Sequence, residues 1–407
     1  MVGGGLAGLA AALELVDAGH EVTLIEARPT LGGAVQTLPR REGDPEPSPD
    51  NGQHIALGCF SAYLRFLERI GSRGSVRRLP LRLPVIDERG RVATIGYGAL
   101  PLLRYRHVPL CDRLRILALL ARLPRLAPGE GTFGDFLRTH GQSQAAIERF
   151  WDVFVRPALN LPTDEVAATD AVFTVLTALR SGREASELVL PAEPLGALHG
   201  DAAARTLEAS GATVRTGERV ASLEDLDADA VVVAVPPAES ALLLGEPDPG
   251  LAPSPILSVH LLFNRRILRH ELAALLGSDA HWVFDRGAIT GHRPERGQYL
   301  TVVSSGAPEL MEIRGRDLVD RIAGQLVERL GHAEVVWSRV SREPEATIAL
   351  RPGIERPSAG AVSAGVARAG AWTHSPDGWP PTMENAVRTG VHAAQVVMAD
   401  VAAKVPA

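Results

Sequence analysis

One lysine, Lys404, and two cysteines, Cys59 and Cys111, are all that the 407 residues hold of those types. The cysteine spacing matches neither a metal ligand pair nor a redox pair, which excludes a disulfide scaffold and a thiolate metal centre and fits a reducing compartment. No apolar run approaches the roughly 20 residues of a membrane-spanning helix. Neither a basic leader nor a cleavage site opens the chain, so the expected location is cytoplasmic. The formal charge of -6 gives no general attraction to phosphate backbones, so nucleic acid is not an expected partner. Length, with 45% hydrophobic residues, allows two domains and a large buried interior.

What is present begins at the third residue. Gly3, Gly5 and Gly8 form G-x-G-x-x-G and run into a helical apolar face of Leu6, Leu9, Ala10, Leu13 and Val16, which Gly19 ends. A strand from Glu21 to Ile25 follows and closes on Glu26, near the roughly 20-residue offset at which a carboxylate meets ribose hydroxyls. Gly3 permits the tight turn, Gly5 lets backbone N–H groups, with Leu6 and Ala7 behind them, approach a diphosphate, and Gly8 lets helix and strand pack closely. Glu26 would repel a 2'-phosphate. Only Met1 and Val2 precede the glycines, where a strand needs about four or five residues. The start is therefore expected to be truncated, with its central strand short of backbone pairing.

Three further signatures lie downstream. Ala27, Arg28, Pro29, Thr30, Leu31, Gly32 and Gly33 form a second glycine cluster; Gly211 to Val220 leads to the β-branched run Ala228 to Pro237, a buried strand. Ala369 to Thr373 and Gly378 to Gly390 close the chain, with Thr382 placed to cap a helix. In this order the three signatures resemble those of amine oxidases and phytoene-type desaturases. The resemblance implies an α/β fold: a Rossmann-like FAD-binding domain of the glutathione-reductase type with an interleaved α+β substrate domain. It implies FAD held by the opening turn and Glu26, by Ala27, Arg28, Gly32 and Gly33, by Val220 near the adenine, and by Gly370, Ala371, Pro381, Thr382 and Met383. The last helix would then turn its N-terminus toward the flavin, favouring negative charge there. Ala34 stands where many relatives carry Arg, Ala371 where they carry Asp or Glu, and Asn385 where they usually carry Gly. No second G-x-G-x-x-G opens a βαβ unit, so an external electron donor is expected.

The expected FAD domain comprises residues 1–60, 190–250 and 350–407, and the substrate domain 61–189 and 251–349. Residues 61–182 carry Leu, Ala and Arg at helical spacing, whereas 256–262 and 298–304 read as strands. Between Leu100 and Leu126 stand Arg104, Arg106, Arg113, Arg115, Arg122 and Arg125 against the single acid Asp112. Two readings of this island stay open: a peripheral contact with anionic lipid, or a helix with solvated arginines.

Residues Asp50 to Cys59, Pro157 to Pro162, Leu190 to Leu195 and the Gly378-Trp379-Pro380 stretch resemble the hydroxysqualene dehydroxylase family, squalene-forming flavoproteins of hopanoid biosynthesis. That resemblance implies an isoprenoid lipid substrate and reductive removal of its hydroxyl. It makes His54 the candidate acid, with Gln53 and Asp50 beside it; alternatively His54 bonds backbone and Asp50 caps the loop. Phe150, Trp151, Phe154 and Phe173 are read either as tunnel lining or as core. A carotenoid-type desaturase and an amine oxidase share these motifs. Amine oxidases often use a lysine at the flavin, and only Lys404 is available. A flavin-free binding relative is the reading of a different class.

Overall fold

In the computed structural model, which describes residues 1–404, the glycine-rich start is already strand. Val2 bridges in parallel to Ile25 on one side and Val233 on the other. Its N–H donates to Val232 O at 3.0 Å, its carbonyl accepts from Ala234 N at 2.8 Å, and Ile25 N reaches Met1 O at 2.9 Å. The expected lack of pairing is thereby corrected: flanked on both sides, three residues satisfy their backbone groups as a longer strand would. The sheet runs Thr213–Thr216, Thr23–Glu26, residues 1–3, Val231–Val233 and Val366–Arg368 in parallel, then Gly360–Ser363 antiparallel.

Helices Leu6–Asp17 and Met383–Lys404 pack on this sheet and on each other. Their contact is close enough that a Cβ on Gly390 would lie 2.1 Å from Ala7 O, so a glycine is required there. Leu9, Leu13, Leu24, Val232, Ala393 and Val397 fill the core between them. Leu9 and Leu24 are fully buried, each contributing about 1.5–3 kcal/mol. Helix Ser61–Arg69 adds Tyr63, Leu64, Phe66 and Leu67 to the same core. The helix that follows residue 60 thus buries its apolar face against this sheet.

The second layer is a seven-stranded mixed sheet in the order Val335–Ile348, Pro253–Phe263, Gln298–Ser305, Trp282–Asp285, Leu272–Leu275, Arg82–Ile86 and Val92–Gly96. The last two strands correct the helical reading of residues 61–182. They form a hairpin whose turn is closed by Asp87, accepting from Arg89 N and Arg91 N, and by Gly90 at φ +74°. Helices Leu110–Arg122, Phe133–Thr139, Asp152–Leu159 and Ala168–Arg180 cover this half. Phe150 and Trp151 are core: Trp151 is 1% exposed, packs edge-on against Phe133 and Phe150, and donates its indole N–H to Gln142. A small antiparallel sheet of Ala56–Leu57, Leu188–Pro191 and Val76–Leu79 ties the halves together. No helix among the described residues is long and apolar enough to cross a membrane. The Lys404 side chain lies outside the described residues.

Candidate flavin site

The opening turn is tight and leads into an uncapped helix start. Gly3 sits at φ +101°, and a Cβ there would fall 2.3 Å from Ala234 O; a Cβ on Gly8 would fall 1.9 Å from Gly3 O. These two glycines therefore set the closeness of turn, strand and helix. No side chain caps the helix, and its first bond is Leu9 N to Gly5 O. The amides of Leu6, Ala7 and Gly8 are left at a positive helix end, the chemistry that binds a phosphate. The second glycine cluster forms the facing wall: Gly32 N donates to Gly4 O at 2.8 Å, and Gly5 bridges Gly32.

Glu26 stands at the strand end beside this cradle. It accepts from Gly4 N at 2.6 Å and from Arg28 N at 2.8 Å. Glu218 N and Gly217 N donate to Glu26 O and Arg28 O, docking the segment that leads to half-buried Val220. Ala27 and Arg28 are exposed, and Arg28 reaches Gly33 O at 3.5 Å. The predicted ADP-half residues are thus brought together.

At the other end, Thr382 caps the last helix by accepting from Asn385 N at 3.2 Å. Pro381, Thr382 and Met383 are half-buried around that positive end. Gly370 N donates to Thr389 Oγ1 at 3.1 Å. The departures Ala371 and Asn385 prove to be linked, since the buried Asn385 amide donates to Ala371 O at 2.7 Å and to Thr373 O at 2.9 Å. The side chain that replaces glycine fixes the turn that lacks a carboxylate.

The 50–54 loop is tied to the second glycine cluster: Asn51 Nδ2 donates to Ala34 O at 2.8 Å, and Thr37 bridges Asp50. Asp50 accepts from Thr37 Oγ1, Leu195 N and Arg286, each at 2.8 Å. Burial pushes its carboxyl up, while Arg286, the Leu195 amide and the Thr37 hydroxyl pull it back. Arg286 also donates to Gln53 Oε1 at 2.9 Å. Asp50 and Gln53 are therefore held by one buried cation on the other domain. His54 Nδ1 lies 3.2 Å from Gly52 O and must donate to it, leaving Nε2 as acceptor in the neutral ring. Desolvation lowers the His54 pKa, against the pull of the Gly52 carbonyl and the Asp50 charge.

Arg286 is the main residue that the sequence reading missed. Nothing local marks it, because its partners are more than 230 positions away. Also missed was Glu384, fully buried, which caps helix Ser61–Arg69 through Ala62 N and Tyr63 N and pairs with Arg388. Of the four candidate aromatics, Phe173 alone reaches the closing motif. It meets Trp379 at 5.4 Å, with Phe60 at 5.6 Å on the same ring.

A dinucleotide cradle at the N-terminus, a capped last helix packed on the cradle helix, and an interleaved second domain define a flavin-dependent oxidoreductase. The family model for flavin containing amine oxidoreductases matches residues 6–398, and the chain belongs to that family. It binds FAD. Among named relatives, hydroxysqualene dehydroxylase of Rhodopseudomonas palustris is 28% identical, the match covering 98% of each chain. That of Sinorhizobium fredii is 27% identical over 98% of each. A zeta-carotene desaturase of Zea mays is 27% identical, but over 46% of this chain and 36% of the desaturase. The fold matches an oxidoreductase from Methanosarcina mazei with a TM-score of 0.74 at 19% identity, covering 97% of this chain and 98% of that one. Cyclohexylamine oxidase from Brevibacterium oxydans matches at 0.72 and 17% identity, covering 99% and 98%.

Proposed function

We propose that this flavoprotein removes the hydroxyl of hydroxysqualene reductively, giving squalene for hopanoid synthesis. The observation that carries this is collinearity: the hydroxysqualene dehydroxylases align over 98% of both chains, whereas the maize desaturase aligns over less than half of this one. The hydroxyl takes a proton and leaves as water, and the adjacent double bond delocalises the cation. When bound and reduced, FAD supplies the hydride that ends at the same carbon, so alcohol and reduced flavin give hydrocarbon, water and oxidised flavin. A separate donor restores the reduced state, and the lipid substrate places the work at the inner face of the cell membrane.

The residues divide the remaining tasks. Gly3, Gly5, Leu6, Ala7 and Gly8 hold the diphosphate, Glu26 the ribose, and the Thr382 helix end the anionic ring system. The Asp50–Arg286–Gln53 network fixes the loop carrying His54. His54 takes its proton at Nε2 and delivers it to the leaving hydroxyl. The test is to incubate the purified protein with hydroxysqualene and dithionite-reduced FAD without oxygen, and to follow products by mass spectrometry. Squalene is expected. Desaturation of zeta-carotene with oxidised FAD, and no squalene, would replace this reading with the desaturase.

A further inference from the structure

The described residues expose seven large hydrophobic side chains, and five of them, Val92, Tyr97, Leu100, Leu110 and Leu114, fall in one short stretch. Helix Leu110–Arg122 shows why this is unusual. Its inner stripe is Asp112, Ile116 and Leu119, which Leu123 continues, and Ile116, Leu119 and Leu123 sit in the same core as Phe133 and Trp151. Its outer stripe is Leu110, Cys111, Leu114, Ala118 and Ala121, all exposed and all uncharged. A helix lying on a water-facing surface places charged residues there instead.

The charges stand at the edges of this stripe and have one sign. Arg115 and Arg122 flank it, with Arg104, Arg106 and Arg125 exposed nearby. Among the described residues, Arg104, Arg106, Arg122 and Arg125 have no acidic partner, and Arg115 has only the buried Asp112. The rest of the protein is acidic enough to make the whole chain -6. An apolar stripe rimmed by unpaired arginines fits a surface whose interior is hydrocarbon and whose rim is phosphate. A second copy of the chain fits poorly, because a two-fold contact would set these arginines against each other.

We propose that the face formed by Leu100 of helix Ala99–Arg104 and the outer stripe of the adjoining helix Leu110–Arg122 docks on an anionic phospholipid bilayer, leucines at the acyl boundary and arginines at the phosphates. The acidic remainder of the molecule is repelled by the same charge, which orients the protein. The proposal agrees with the lipid-substrate reading, but it rests on exposure and charge alone and is read by binding without turnover. Failure of either leaves the other standing.

The experiment is co-sedimentation of the FAD-loaded protein with vesicles of phosphatidylglycerol and phosphatidylcholine, or of phosphatidylcholine alone. Partitioning should be at least tenfold stronger on the anionic vesicles and should fall steeply in 0.5 M salt, as expected from a screening length of about 3 Å at 1 M. Replacing Arg104, Arg106, Arg122 and Arg125 with Gln should weaken it by about a hundredfold or more, since each basic residue near the surface contributes about fivefold. Leu110→Ser with Leu114→Ser should lose at least about tenfold. Leu242→Ser with Val336→Ser, exposed elsewhere, should lose nothing. Flavin content and circular dichroism establish that each variant is folded. Equal binding to both vesicle types, equal loss in the Leu242/Val336 pair, or absence of vesicle binding would overturn the proposal. So would conversion of a dimer to a monomer by the Leu110/Leu114 pair without a change in sedimentation, which would make this face a protein interface.

Discussion

Replacing Gly5 and Gly8 separately with alanine distinguishes the cradle from its scaffold. At Gly8 the new methyl would lie 1.9 Å from Gly3 O, a backbone atom fixed in the sheet. Restoring ordinary contact at 3.4 Å requires the helix start to move about 1.5 Å. That strain costs about 2 kcal/mol or more, exceeding the roughly 1 kcal/mol that alanine gains over glycine in a helix. At Gly5 the backbone is ordinary, φ -75°, and the nearest atom to a new Cβ is Gly33 Cα at 3.7 Å. The methyl fits the folded chain and projects between the two glycine walls. Gly5→Ala should therefore cost the apoprotein no more than about 1 kcal/mol. It should displace two amide-to-phosphate bonds worth about 1.5 kcal/mol each, weakening FAD binding by on the order of a hundredfold. Urea denaturation of the apoproteins and fluorescence titration with FAD give both quantities. Full flavin affinity in a folded Gly5→Ala protein would refute the placement of the diphosphate.

Arg286→Leu strands the carboxylate of Asp50, both side chains being 2% exposed, and should destabilise the protein by about 3–5 kcal/mol; adding Asp50→Asn should recover much of that in denaturant melts. His199, His260 and His281 are held neutral by burial, with pKa values lowered to about 4, 3 and 3. The unfolded chain takes up their protons first, so stability is complete above about pH 6.5 and declines below it by on the order of 1 kcal/mol per histidine per pH unit. Melting from pH 7.5 to 5 checks the slope, which His199→Gln should reduce. The lowered pKa of His54 leaves little of its acid form at neutral pH, so turnover should rise as pH falls from 8 to 6; a His54→Gln enzyme with the same slope would exclude it as the acid. Glu26→Lys removes the acceptor for Gly4 N and should weaken FAD retention at least tenfold, read from the ratio of flavin to protein absorbance.

The flavin half was legible in the sequence because its requirements are local. A turn that must admit a phosphate needs glycines at fixed spacing, and a helix that must start there needs Thr382 as cap. The hairpin Arg82–Gly96 was also signalled, by alternating apolar residues around Asp-Glu-Arg-Gly, but the surrounding leucines and arginines imposed a helical period on the reading. Arg286, Glu384 and the pairing of Asn385 with Ala371 were not legible. Each is defined by a partner supplied by tertiary packing, and an arginine in a short helix reads as solvated until a buried carboxylate is set opposite it. The outer stripe of helix Leu110–Arg122 was visible as composition, and only the fold separates its buried leucines from its exposed ones.

The most direct measurement mixes anaerobically reduced enzyme with hydroxysqualene in a stopped-flow cell and follows flavin absorbance while product is trapped by quenching. One equivalent of squalene formed for each flavin reoxidised, at the same rate, is the predicted result. Flavin that stays reduced while the lipid remains unchanged would contradict the assigned reaction.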